Sequence, residues 1–164
     1  MNRRTAIFTL AGFAVAPFIL SRVSASGDSQ PINADKITRS DEEWRSLLTE
    51  AQYQVLRKEG TERPWTSLLN EEKRAGTFTC AGCDQALFTS EMKFDSGTGW
   101  PSFFTAIEGA VETERDFKLL LPRTEYHCSR CGGHHGHVFE DGPKPTGLRY
   151  CNNGVALKFV PRQG

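Results

Sequence analysis

The sequence predicts a mainly β fold, an antiparallel body with short peripheral helices near the N-terminus. Apolar residues recur at helical spacing before Gly76, whereas short β-prone segments alternate with glycine-rich turns after it. This second pattern favours antiparallel strands over alternating βαβ units. Once an N-terminal targeting segment is set aside, about 140 residues remain, which is the size of a single domain.

The first 25 residues have the composition of a secretory signal peptide. Arg3 and Arg4 precede an apolar run over residues 6–20, and small residues follow near position 25. The run is short for a membrane span of about 20 residues, although an uncleaved anchor and an ordinary export signal are alternatives. The paired arginines indicate twin-arginine export of a folded protein to the bacterial periplasm. The expected organisation is a signal peptide (1–25), a linker (26–37) and a folded domain (38–164).

The first predicted element of the domain is an amphipathic helix. It is expected to begin after Ser40, because Ser40 and Glu43 can form a capping box, and to end at Gly60. A second short helix is expected over residues 68–74. The apolar positions of the first helix are Trp44, Leu47, Leu48, Ala51 and Val55.

Strands are expected wherever short runs of β-branched, aromatic and apolar residues lie between turn residues. The stiff turn at 143–147 leads into a further strand that carries Cys151. The other expected strands are residues 77–79, 86–88, 110–113, 125–128, 137–139 and 155–160.

The charge of the chain excludes one class of partner. Lys and Arg number 20, as do Asp and Glu, so the formal net charge is zero. A nucleic-acid-binding protein needs a basic field, which this composition does not supply. We therefore expect no nucleic-acid partner, and no stable membrane association once the signal peptide is removed.

Four of the five cysteines form two Cys-x-x-Cys pairs, Cys80 with Cys83 and Cys128 with Cys131. Two such pairs can complete a closed tetrahedral Cys₄ zinc site, so one structural Zn²⁺ per chain is expected. The alternative is two disulfides, which an oxidising compartment would favour. Export after folding would allow zinc to bind while the thiols are reduced. A zinc hydrolase is excluded, because four thiolates leave no coordination position for water.

Cys151 is the cysteine that remains, and an unpaired cysteine in an exported protein is a candidate reactive thiol. A buried, inert cysteine is the alternative. Arg149 lies two residues before Cys151 and Asn153 two residues after it, so all three share one face of a strand. A nearby cation favours the nucleophilic thiolate.

Histidines in a glycine-flanked cluster supply candidate acid–base groups, since imidazole transfers protons near neutral pH. His134 could instead be a zinc ligand at the spacing Cys131-x-x-His134, but four thiolates already saturate the metal. Of the cluster, His134 and His137 are the candidates, and His135 has the least support.

A glycine-rich turn over residues 96–103 presents Trp100. An ordinary core tryptophan would fit this pattern equally well. An exposed indole face would suit a methyl-thioether group, because sulfur and methyl groups pack favourably on aromatic rings.

Together these motifs resemble the methionine-R-sulfoxide reductase family, the B type of peptide methionine sulfoxide reductase. The resemblance extends from about Ser40 to Phe159 and implies a zinc-pinned, antiparallel β-tent fold. It also implies reduction of methionine-R-sulfoxide in oxidised proteins and peptides. Its strongest motifs are residues 97–103 (Gly-x-Gly-Trp-Pro-Ser-Phe), the two cysteine pairs, 136–139 (Gly-His-Val-Phe), 141–142 (Asp-Gly) and 146–153 (Thr-Gly-Leu-Arg-Tyr-Cys-x-Asn).

The resemblance implies a role for each matching residue. Cys151 would be the nucleophile and would become a sulfenic acid, the first reversible step of thiol oxidation. The groups implied to assist it are Arg149, which would support the thiolate, and His134, His137 and Asn153, which would orient water and the sulfoxide oxygen. The substrate-binding residues would be Trp100, which would hold the methyl group, Phe139, and Asp141, which would steady the histidine side of the pocket.

Thr98 departs from the family pattern. Many members carry a resolving cysteine at this position, which forms an internal disulfide with the catalytic one. Because the other four cysteines are assigned to zinc, we expect an external reductant, either a thioredoxin-like protein or a small thiol. Sacrifice of a zinc ligand is the alternative, although it would release the metal and loosen the fold.

A non-catalytic zinc-stabilised binding module is the competing hypothesis, with Trp100 in a recognition pocket. Such a module has no need of a thiol flanked by Arg149, His137 and Asn153, so the enzyme is preferred. We expect the enzyme to be a monomer.

The export hypothesis predicts that replacing Arg3 and Arg4 together by Lys leaves the protein in the cytoplasm, since the twin-arginine signal is recognised by its arginines. Cell fractionation followed by immunoblotting of each fraction checks this. Normal export of the double variant would refute the twin-arginine route.

Overall fold

The computed structural model describes residues 36–117 and 122–163. The predicted signal peptide and all but the last two residues of the predicted linker therefore lie outside the described residues. Within the described ranges, no helix combines the length and the apolar character needed to cross a bilayer.

Two short helices replace the single helix that was predicted before Gly60. The capping box at Ser40 is confirmed and begins α1 (Asp41–Leu47). Leu48 then adopts an extended conformation, and Thr49 forms a second capping box with Gln52, which begins α2 (Glu50–Lys58). The prediction of one helix was wrong because the second cap, Thr49-x-x-Gln52, restarts the helix in a new direction.

The break changes which apolar residues are buried. Leu47 is 57% exposed, whereas Trp44 and Leu48 enter the core together with residues of α2. The residues of α2 that enter the core are Tyr53, Val55 and Leu56. The helix expected over 68–74 is reduced to one 3₁₀ turn, Leu68–Asn70.

The described strands form two antiparallel sheets, which confirms the predicted fold class. The smaller has the order β2-β1-β9 and the larger β3-β4-β8-β7-β6-β5. Each predicted strand is present, and the two-residue strands β3 and β4 were not predicted. The strands are β1 (Gly76–Cys80), β2 (Ala86–Thr89), β3 (Lys93–Phe94), β4 (Ser102–Phe103), β5 (Val111–Asp116), β6 (Arg123–Cys128), β7 (His134–Phe139), β8 (Arg149–Asn152) and β9 (Leu157–Pro161).

Aromatic side chains hold the two sheets together. Phe78 on β1 and Phe88 on β2 come from the smaller sheet and pack on Phe103 of the larger one, with ring centroids 5.0 and 4.0 Å from it. All three are fully buried. Such ring pairs contribute about 1 kcal/mol beyond the burial of their area.

The register of the larger sheet brings the candidate residues together. Cys151 on β8 lies opposite His137 of β7 on one side and Ser102 of β4 on the other. In the same ladder Arg149 lies opposite Phe139. The motifs near positions 100, 137 and 151 therefore meet at the middle of one sheet.

Candidate active site

The four paired cysteines form one cluster between the sheets. Cys80 ends β1 of the smaller sheet, and Cys128 ends β6 of the larger one. The ligand atoms of all four lie within 4.8 Å of one another. The Sγ atoms of Cys80 and Cys131 are 3.6 Å apart, and those of Cys83 and Cys128 are 3.5 Å apart.

These separations fit a tetrahedral metal and not a pair of disulfides. Four thiolates around Zn²⁺, with Zn–S bonds of about 2.3 Å, place their sulfurs roughly 3.8 Å apart. A disulfide would need a separation of about 2.05 Å, and none of these cysteines forms one. The donor set and the geometry of the cluster therefore fit a structural metal site.

The two cysteine turns have the same backbone shape. The N–H of Asp84 donates to the carbonyl of Cys80 at 2.9 Å, and the N–H of Gly132 donates to that of Cys128 at 2.8 Å. Each residue that follows the second cysteine has a positive φ, 59° for Asp84 and 65° for Gly132. Gly adopts this conformation freely, and Asp is one of the few other residues that tolerate it.

The fifth cysteine opens on a separate cavity. Its volume of about 130 Å³ is well below the range for drug-sized ligands, so it suits a head group of a few atoms. Aromatic rings and an imidazole line it, as expected for a pocket that takes a small, weakly polar group. The lining residues are Thr61, Trp100, Arg123, Gly136, His137, Phe139, Cys151, Asn152 and Asn153.

Burial raises the pKa of Cys151 above that of a free thiol. The charge of Arg149 and hydrogen bonds from Thr98 and Arg149 act in the opposite direction and lower it. Arg149 thus acts in the direction that favours a thiolate, but the effect of burial on the pKa is larger. Cys151 therefore rests as a thiol at neutral pH.

Arg149 is held in place by Asp141 and Phe139. Its Nε and one terminal nitrogen donate to the two carboxylate oxygens of Asp141 at 2.8 and 2.9 Å, and its guanidinium lies 4.4 Å from the ring centre of Phe139. Hydrogen bonding to this cation lowers the pKa of Asp141. Asp141 was expected on the histidine side of the pocket, whereas the structure pairs it with Arg149.

The carboxylate on the histidine side is Asp116. Its Oδ2 lies 2.8 Å from Nε2 of His137 and 2.6 Å from a terminal nitrogen of Arg123. Burial lowers the pKa of His137, although Asp116 acts to raise it, so the imidazole is neutral near pH 7. Because a carboxylate only accepts hydrogen bonds, Nε2 carries the proton and Nδ1 is the free basic nitrogen.

The other two histidines of the cluster, His134 and His135, are buried and do not line the cavity. The ring centres of His134 and His137 are 5.6 Å apart, and Nδ1 of His134 lies 2.7 Å from Oε1 of Glu125. His135 is fully buried and stacks on Tyr126, and burial lowers its pKa to about 3. His135 is therefore a neutral core residue, which agrees with its weak support in the sequence.

Asn153 and Trp100 reach the cavity with their polar groups already bonded. The side-chain amide of Asn153 donates to the carbonyl of His135 at 3.0 Å and accepts from the N–H of Glu62 at 2.9 Å. The indole N–H of Trp100 donates to the carbonyl of Glu62 at 3.1 Å. The alternative of an ordinary core tryptophan does not hold, since Trp100 is partly exposed at the cavity wall.

A chain of hydroxyl groups borders Cys151 on the side away from His137. The hydroxyl of Thr98, which acts to lower the pKa of Cys151, lies 2.8 Å from that of Ser96, and the hydroxyl of Ser96 lies 2.8 Å from that of Ser102. Ser102 in turn donates to the carbonyl of Trp100 at 3.1 Å. The position next to Cys151 is thus occupied by a hydroxyl that can bond to its sulfur.

Comparison with known proteins supplies relatives along most of the chain. Residues 48–161 match the SelR domain family. Three similar proteins are peptide methionine sulfoxide reductases MsrB. That of Pseudomonas putida is 56% identical over 79% of this chain and 98% of its own length. That of Bradyrhizobium diazoefficiens is 54% identical (78% and 93%), and that of Methanosarcina mazei is 52% identical (79% and 93%).

The Asp116–His137 contact predicts that Asp116→Asn lowers the pKa of His137 further, because the negative charge that favours the imidazolium is lost while Arg123 remains nearby. An NMR titration of the His137 ring measures this. Glu108→Gln, which removes an exposed carboxylate, is the control and should leave the titration unchanged. An unchanged or higher pKa in Asp116→Asn would contradict the assigned contact.

Proposed function

This chain belongs to the SelR family of methionine sulfoxide reductases, and from that premise we propose that it reduces peptide-bound methionine-R-sulfoxide with Cys151 as the attacking sulfur. The arrangement of the five cysteines carries the proposal. Four of them form the metal cluster, and the fifth opens on a small cavity lined by an imidazole and two aromatic rings. A cavity of this size suits the methylsulfinyl end of an oxidised methionine.

In the proposed reaction the sulfur of Cys151 attacks the sulfoxide sulfur, and the sulfur–oxygen bond of the substrate breaks. The sulfur–sulfur bond formed in this attack breaks as the oxygen is transferred to Cys151, which becomes a sulfenic acid, and the thiol proton ends on that oxygen. The substrate sulfur gains two electrons and Cys151 loses two. The products are methionine and the oxidised enzyme.

His137 is proposed to move the proton. Cys151 rests as a thiol and His137 as a neutral imidazole, and the two lie opposite each other in adjacent strands. The free Nδ1 of His137 can accept the thiol proton and then deliver it to the sulfoxide oxygen. Arg149 and Thr98 would stabilise the thiolate formed in between.

Trp100 and Phe139 are proposed to bind the methyl group and the carbon chain of the substrate, since both rings face the cavity. Asn153 would contact the sulfoxide oxygen. His134 and Asp141 would act indirectly, by positioning residues of the site. His134 packs on His137, and Asp141 binds Arg149.

We propose Zn²⁺ as the metal of the Cys80, Cys83, Cys128 and Cys131 cluster. It would supply cross-linking between the sheets and no reactive group, because four sulfurs complete its tetrahedral shell. The reaction would take place entirely at the Cys151 cavity.

Regeneration is proposed to use an external thiol, from a thioredoxin-like protein or a small molecule. The thiol would condense with the Cys151 sulfenic acid to give a mixed disulfide and water, and a second thiol would release the reduced enzyme. The hydroxyl of Thr98 beside Cys151 supports this, since it cannot form a disulfide. We further propose that a monomer works in the periplasm after export directed by residues 1–25.

The function predicts that Cys151→Ser abolishes turnover while the protein keeps its zinc. The assay mixes mature protein, dithiothreitol and a peptide that carries both sulfoxide epimers, and chromatography follows each epimer. The wild type should consume the R epimer alone, and the variant neither. Zinc, measured by atomic emission, should remain one per chain in both. Turnover by Cys151→Ser, or consumption of the S epimer, would refute the assignment.

Thr98→Cys should convert the enzyme to an internal disulfide mechanism, because it places a second thiol beside Cys151. After one turnover without reductant, intact-protein mass spectrometry should show that this variant has lost about 2 Da, the mass of the two hydrogen atoms removed when a disulfide forms. The wild type and the control Thr98→Ser should instead carry one added oxygen. A disulfide from wild-type Cys151 to a cluster cysteine, with release of zinc, would contradict the external route.

A further inference from the structure

We infer that Glu62 is a positioning residue that holds Trp100 and Asn153 at the Cys151 cavity, an inference that rests on the proposed function for its catalytic meaning. Glu62 lies in the connection between α2 and β1, and the sequence offers no motif that marks it. Its contacts bridge 38 residues to Trp100 and 91 residues to Asn153.

The backbone of Glu62 bonds to both side chains. Its carbonyl accepts the indole N–H of Trp100 at 3.1 Å, and its N–H donates to the amide oxygen of Asn153 at 2.9 Å. The preceding residue, Thr61, lines the cavity itself. The positions of an aromatic wall and of a polar group of the cavity are therefore set by one residue of a neighbouring loop.

The carboxylate of Glu62 fixes that backbone to the sheet. Oε1 accepts the N–H of Gly154 at 2.5 Å, and Oε2 accepts the N–H of Val155 at 3.2 Å. Hydrogen bonds to an ionised acceptor are stronger than neutral ones. Because Asn153, Gly154 and Val155 are consecutive, the backbone and the side chain of Glu62 bind the same segment and close a small ring of contacts.

The loop has a second backbone anchor, because the N–H of Trp65 donates to the carbonyl of Gly99 at 2.7 Å. That bond lies beside Trp100 and does not reach the segment 153–155. Residues 63–66 are exposed, so burial of their side chains contributes little to the position of the loop. The space at Gly154 is already full: a Cβ there would lie 1.9 Å from Oγ of Ser67 and 3.2 Å from Oε1 of Glu62. Close approach of the loop to the segment 153–155 thus depends on Gly154 and on the Glu62 carboxylate.

Glutamine is the informative replacement. It keeps one oxygen that can accept the N–H of Gly154, but its NH₂ group would face the N–H of Val155, two donors that cannot bond. The loop should then loosen, and Trp100 and Asn153 with it, while Cys151 and the metal cluster stay in place. Glu42→Gln on α1, where the side chain is exposed, is the matched control.

The first experiment separates binding from chemistry. In steady-state assays with the R-sulfoxide peptide, Glu62→Gln should raise KM about tenfold, because it loosens the side chains that are proposed to bind the substrate. The rate of alkylation of Cys151 by iodoacetamide and the zinc content should stay within twofold of the wild type. An unchanged KM would overturn the inference, as would a change in zinc content together with KM.

A double-mutant cycle with Trp100→Ala tests the route through the indole. If Glu62 acts by holding Trp100, Glu62→Gln should add less than about half of its single-variant effect on KM in the Trp100→Ala background. Equal fold-changes in the two backgrounds would show that Glu62 does not act through Trp100.

A third measurement needs no catalysis. Hydrogen exchange of the Trp100 indole N–H, followed by NMR, should be at least tenfold faster in Glu62→Gln than in the wild type and in Glu42→Gln. Unchanged exchange would refute the positioning role even in an active enzyme. If exchange is faster in Glu62→Gln but the wild type has no reductase activity, the positioning role of Glu62 stands and the proposed function is refuted instead.

Discussion

The antiparallel pairing of β7 with β8 is the constraint on which the site depends. The strands approach so closely at Gly136 that a Cβ there would lie 1.9 Å from the carbonyl oxygen of Cys151. This approach fixes the register in which His137 lies opposite Cys151. An imidazole and a half-buried thiol thus line one cavity.

The cysteine cluster connects β7 with the smaller sheet. Cys131 and Gly133 lead directly into β7, while Cys80 ends a strand of the other sheet. A metal held there would join the two sheets. The sheets would then be held together both by the cysteine cluster and by the aromatic contact of Phe88 with Phe103. The five cysteines therefore divide into a cluster of four that could hold a metal and one that lines the cavity.

Sequence spacing identified the cysteines and Arg149 but not the carboxylates that hold the site residues in place. The two cysteine pairs and the alternation of Arg149 and Cys151 are local patterns, which can be recognised without knowledge of the tertiary structure. Asp116 and Glu62 could not be found this way, because their partners lie far along the chain and carboxylates are common on loops and strand ends. The break between α1 and α2 had a local signal in Thr49 and Gln52, but the continuing apolar spacing masked it.

The direct test of the division of the cysteines is a single turnover without reductant. Zinc-loaded, reduced protein is mixed with excess R-sulfoxide peptide, and sulfenic acid is trapped with dimedone and located by peptide mass spectrometry. The account predicts one methionine released per chain, dimedone on Cys151, and four unlabelled cluster cysteines. Release of methionine with the label on a cluster cysteine, or with Cys151 unmodified, would contradict it.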